Sequence, residues 1–67
     1  MATFPERLKK IRKVNDLTIK ELADEIGTTK STISRYENNK REPKTYLLKK
    51  LANYFDVSVD YLLGNTD

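Results

Sequence analysis

The feature that most constrains this chain is a helix stop and a helix start that almost touch. Gly27 ends one helical pattern and Thr29 opens the next, with Thr28 alone between them. Glycine adopts the left-handed backbone that ends a helix at no steric cost. Threonine is a good N-cap, because its hydroxyl accepts a bond from an unpaired N–H of the first turn. Upstream, Thr18 and Glu21 have the spacing of a capping box, and the helix they open carries Leu22, Ala23 and Ile26 inward. A small residue at Ala23 lets the next helix approach closely. Downstream, Asn38-Asn39 is a plausible stop, Asn being the best non-glycine residue for a left-handed position. Helices joined so tightly make a helix-turn-helix.

The second of these helices has two different sides. Advancing about 100° per residue puts Thr29, Ile33, Tyr36 and Glu37 on one face and Ser31, Ser34, Arg35 and Asn38 on the other. The first face anchors the helix. The second is short, polar and carries one long cation. It suits a helix lying in the major groove of DNA, where bulky apolar side chains would block approach and Arg can bridge both acceptors of a guanine.

The flanks complete an all-α reading. Thr3 and Glu6 have capping-box spacing, and Pro5 is tolerated in a first turn, where its missing N–H is no loss. Phe4, Leu8, Ile11 and Val14 form the apolar stripe of a first helix that ends at Asn15-Asp16. After the polar loop Asn38–Lys44, Pro43 bars helix at the residue before it. A fourth helix then runs from Thr45 or Tyr46 to Phe55, with Leu47, Leu48, Leu51, Ala52 and Phe55 inward. Asp56 ends it, Ser58 caps a last short helix with Tyr61, Leu62 and Leu63, and residues 65–67 are a tail or the start of a linker. The expectation is one domain over residues 1–67 with its core in 4–64: five short helices around a single core, without strands or repeats.

Composition narrows the chemistry. The chain has 67 residues, no Cys and no His. That removes disulfide frameworks, zinc fingers and His-based triads, so no metal and no cofactor is expected. Glu21, Asp24 and Glu25 have no such partner nearby and read as a solvated acidic face rather than a catalytic cluster. Lys30 and Ser31 point apart on a helix and make no Ser-Lys dyad. No apolar run approaches the ~18 residues of a membrane span, and no signal peptide is evident, so a cytoplasmic location is expected. Net charge is only +3, but its distribution is uneven. Residues 1–27 hold six Lys/Arg against five Asp/Glu, residues 28–50 seven against two, and residues 51–67 none against three. The positive excess sits on and just after the polar-faced helix, which favours an anionic partner.

These residues carry a family resemblance. Leu17-Thr18-Ile19-Lys20-Glu21-Leu22-Ala23, Gly27, Ser31 through Lys40, Pro43 and Leu48 through Leu63 together resemble the lambda-repressor-like helix-turn-helix domain of phage repressors and Cro proteins. The resemblance covers roughly residues 4–64. It implies a partly buried ion pair between Arg12 and Glu37. It implies that Lys30, Ser31 and Arg35 read base edges, and that Thr18, Thr29, Asn38, Lys40 and Arg41 lie at or near phosphates. It also implies a transcriptional repressor that binds a palindromic operator as a homodimer. The departures are Ile19, where relatives carry Gln that contacts the backbone, and Asn39 and Asp56, where Gly is usual. Asp tolerates a left-handed conformation less well than Gly.

Among the candidate readers, Arg35 is the best placed for guanine, with a phosphate contact as its alternative. Lys30 reaches either a guanine or the backbone. Ser31 and Ser34 contact bases through water or leave room for them. Tyr36 reads as packing rather than stacking on a base. Tyr54, Phe55, Tyr61 and Leu62 exceed what one small core hides, so Tyr54, Tyr61 and Leu62 are a candidate dimer surface. The rival reading is a protein-interaction module, such as the helix-turn-helix part of an antitoxin.

Overall fold

The computed structural model describes residues 3–65. The expected tail therefore lies, beyond Asn65, outside the described residues. The helices are α1 Phe4–Val14, α2 Ile19–Ile26, α3 Lys30–Glu37, α4 Thr45–Phe55 and α5 Val59–Leu63. Among the described residues there is no strand. Helix α3 packs on α2 and α1, α5 closes against α1 and α4, and α4 rests on α2.

Local signals explain most boundaries. Thr18 Oγ1 accepts the Glu21 N–H at 3.0 Å, and the Glu21 carboxylate accepts the Thr18 N–H at 2.9 Å. Hydrogen bonding to the carboxylate from the Thr18 backbone first, and then from the Thr18 side chain, holds the Glu21 carboxyl below its ordinary value. Thr29 caps α3 through the Thr32 N–H at 3.1 Å, and Ser58 caps α5 through the Tyr61 N–H at 2.9 Å. Gly27 ends α2 at φ 82°. Asn39 and Asp56 adopt φ 57° and 56° after α3 and α4, as their place in the pattern requires. Asp16 does the same after α1, at φ 56°.

The core is a single cluster in which Leu8, Leu22, Leu51 and Leu62 are wholly buried, each contributing about 1.5–3 kcal/mol relative to exposure. Ala23 of α2 and Ile33 of α3 are both buried, on two helices that pack together. Tyr36 is also interior, its ring edge-on to Phe4 with centroids 5.8 Å apart, which bears out packing as its role.

In three places the structure departs from the sequence pattern. Thr3 and Glu6 do not form a capping box: the Thr3 hydroxyl donates to the Glu6 carboxylate at 3.0 Å, and the Thr3 side chain caps no backbone N–H. Val14 is 72% exposed, while Arg12 is buried. The end of α1 turns its inner side towards α3, so the position facing α3 is covered and the one facing away is not. Leu62 is wholly buried and unavailable as a dimer surface, whereas Leu63 and Tyr54 are exposed. The short α5 turns Leu62 into the core, and Tyr61 lies half-buried beside it with the Arg7 guanidinium 4.3 Å above its ring.

The left-handed aspartate at the end of α4 is a local cost. Asp56→Gly relieves it and should stabilise the domain by about 1 kcal/mol, raising Tm by roughly 4–8 °C in a thermal melt.

Candidate nucleic-acid interface

The interface is built on α3. Its inner residues Ile33 and Tyr36 are buried, while Lys30, Ser31, Arg35 and Asn38 are exposed and Ser34 is half-buried. The two faces expected from helical spacing are present except at Thr29, which was placed on the inner face but is exposed, because as the N-cap it stands at the open end of the helix. Asn38 Nδ2 donates to Ser34 Oγ at 3.3 Å, so these two side chains brace each other on the outer face. The Thr29 hydroxyl pairs with that of Thr32 at 2.9 Å in addition to capping the helix. Thr18, exposed at the start of α2, uses its hydroxyl oxygen as an acceptor within the capping box.

What aims this helix is a fork of bonds from Arg12. Its Nε donates to Glu37 Oε2 at 2.6 Å, its Nη2 to Glu37 Oε1 at 3.0 Å and its Nη1 to the Leu17 carbonyl at 2.7 Å. The side chains of Arg12 and Glu37 are 10% and 4% exposed. One guanidinium thus joins α1, the turn before α2 and the last residue of α3. The hydrogen bonds to Glu37 hold the Arg12 guanidinium above its ordinary value, with burial pulling the other way. It is charged wherever the protein is folded.

Two further contacts fix the frame, and neither has a local sequence signal. Lys50 Nζ in α4 donates to the Ile26 carbonyl at 3.5 Å. Helix α2 has no basic residue in its own last turn, and Lys50 sets a cation from another helix at that negative end. Arg7 Nη1 donates to the Tyr61 carbonyl at 3.1 Å, tying α5 to α1 across 54 residues of sequence.

The loop after α3 carries the densest charge. Lys40, Arg41 and Lys44 are all exposed, with Glu42 the one acid among them. The Lys40 N–H donates to the Arg35 carbonyl at 2.8 Å, so the loop turns back against the end of α3. Among the described residues no group of His, Cys, Asp and Glu is arranged to hold a metal ion. No helix of the described residues is long and apolar enough to cross a membrane.

Two short helices crossing at a tight turn, with a braced polar face outward and cations beyond its end, define a helix-turn-helix protein. The helix-turn-helix family model matches residues 8–62, and the chain belongs to that family, in its Cro/C1-type branch. Among curated proteins it is similar to the uncharacterized HTH-type transcriptional regulator YobD of Bacillus subtilis (strain 168). The two are 45% identical over 64 residues, 96% of this chain and 57% of that protein. Among solved structures, the P22 c2 repressor in complex with synthetic operator 9T superposes with a TM-score of 0.91 at 27% identity, covering 98% of this chain and 100% of that one. SinR, a master regulator for biofilm formation, in complex with DNA, gives a TM-score of 0.83 at 34% identity, over 90% of this chain and 97% of that one. The chain spans about half the length of the curated relatives it matches.

Removing one partner of a buried pair leaves the other charge without compensation. Glu37→Ala should cost about 3–5 kcal/mol of stability in urea denaturation, and pairing it with Arg12→Met should recover much of the loss. Recovery separates a stranded charge from simple loss of contact.

Proposed function

We propose that this chain is the sequence-specific DNA-binding domain of a transcriptional repressor that binds a palindromic operator as a homodimer. The observation that carries this reading is the outer face of α3: exposed Lys30, Ser31 and Arg35, on a helix whose far end is pinned by Arg12 and Glu37. Similarity to the P22 c2 repressor, captured with an operator, and to SinR, captured with DNA, supports the same reading.

In this mechanism α3 enters the major groove by its N-terminal part. Arg35 donates to guanine O6 and N7, a contact worth about 1–3 kcal/mol of discrimination. Lys30 and Ser31 read neighbouring positions, and half-buried Ser34, bonded to Asn38, leaves room for the base edges. Thr18, Thr29, Asn38, Lys40 and Arg41 meet phosphates, and the N–H groups at the starts of α2 and α3 add to them. Phosphate contacts set the affinity and its salt dependence, while α3 sets the sequence choice. Dimerisation uses exposed Tyr54 and half-buried Tyr61. The domain acts in the cytoplasm by occupying a promoter, with no chemical step.

The test is selection from a pool of random duplexes, followed by affinity for the winner and a scrambled control at two salt concentrations. A palindromic winner strongly preferred over the control is the expected result. No binding to any duplex would sink the reading in favour of a protein-interaction module. Arg35→Ala should relax preference at one position in each half-site. Equal weakening on every sequence would instead make Arg35 a phosphate contact.

A further inference from the structure

Tyr36 carries a hydroxyl that its buried position does not need. Its ring fills the space between α3 and α1 against Phe4, and a phenylalanine ring would fill that space as well. The hydroxyl instead reaches the next element: Tyr36 Oη accepts the Lys44 N–H at 3.4 Å. Lys44 is the N-cap of α4, and α4 has no side-chain cap of its own. The N-cap N–H is one of the donors a helix start leaves unpaired. In α2 the same donor, on Thr18, is taken by Glu21 three residues later. In α4 that position gives no such acceptor, and the hydroxyl of Tyr36 takes its place from another helix.

The consequence falls on the loop. Its near end is tied to α3 by the Lys40 N–H on the Arg35 carbonyl, and its far end by the Lys44 N–H on the Tyr36 hydroxyl. Both anchors are consecutive residues of the last turn of α3. Between them lie Arg41, Glu42 and Pro43, the last with φ fixed by its own ring. Lys40, Arg41 and Lys44 are thereby held in one arrangement relative to α3.

We propose that the Tyr36 hydroxyl is a positioning group for DNA binding, holding the cations of the 40–44 loop in register with the phosphates beside the groove that α3 enters. The proposal rests on the DNA-binding function put forward above. The hydroxyl acts on affinity through the loop and leaves base choice to the outer face of α3.

The test is Tyr36→Phe, measured against wild type by duplex binding over a salt series and by hydrogen exchange of the Lys44 amide. The variant should melt close to wild type. It should bind the selected operator and a scrambled duplex about three- to tenfold more weakly, with the preference between them unchanged. The slope of log affinity against log salt should shrink by about 1, the signature of a lost phosphate contact. The Lys44 amide should exchange faster while core amides keep their protection. A variant that binds with the wild-type slope and strength overturns the proposal and leaves the DNA-binding reading intact. An unprotected Lys44 amide in wild type also overturns it, without recourse to the variant. If wild type binds no duplex, the DNA-binding reading falls, and the phosphate role falls with it.

Discussion

The structure depends on the bidentate pairing of Arg12 with Glu37. A buried ion pair is a poor source of net stability, because taking two charges out of water costs about as much as their attraction returns. What it does supply is direction. A planar guanidinium with donors at fixed angles accepts its partners in one orientation only. Here it holds the carboxylate at the end of α3 on one edge and the Leu17 carbonyl on another. An apolar contact of equal area would tolerate a small rotation of α3. The ion pair does not, and base reading by α3, as proposed, is sensitive to such a rotation.

The other helices supply what the pair cannot. Thr29 fixes the start of α3, Ala23 allows α2 to come close beneath it, and Ile33 and Tyr36 seat it on the core. Lys50 restrains the turn between α2 and α3 from the side of α4. Helix α5 is too short to be stable alone. It persists because Leu62 is wholly buried and Arg7 holds both the ring and the carbonyl of Tyr61.

In the proposed function, affinity and selectivity fall to adjacent segments. The exposed cations at 40, 41 and 44 lie in the loop, and Lys30 and Arg35 lie on the helix itself. Because the loop is anchored to consecutive residues at the end of α3, the two functions share one frame. A rotation of α3 would move both together.

Apart from the Thr3–Glu6 capping box, features that act within one turn of chain were legible from residue order. Thr18 with Glu21, Thr29, Ser58 and the left-handed positions at Gly27, Asn39 and Asp56 each involve partners a few residues apart, whose separation is set by backbone geometry. The two faces of α3 follow from helical periodicity in the same way. The Arg12–Glu37 pair was anticipated through family resemblance rather than spacing, since 25 residues separate the two. What residue order left open depended on how the helices cross. Arg12 rather than Val14 is covered because the end of α1 faces α3. Leu62 rather than Leu63 is covered because α5 lies between α1 and α4. The contacts of Tyr36 with Lys44, Lys50 with Ile26 and Arg7 with Tyr61 belong to the same class. Periodicity places a side chain on a face of its own helix, but the partner that meets that face is chosen by the crossing of helices distant in sequence.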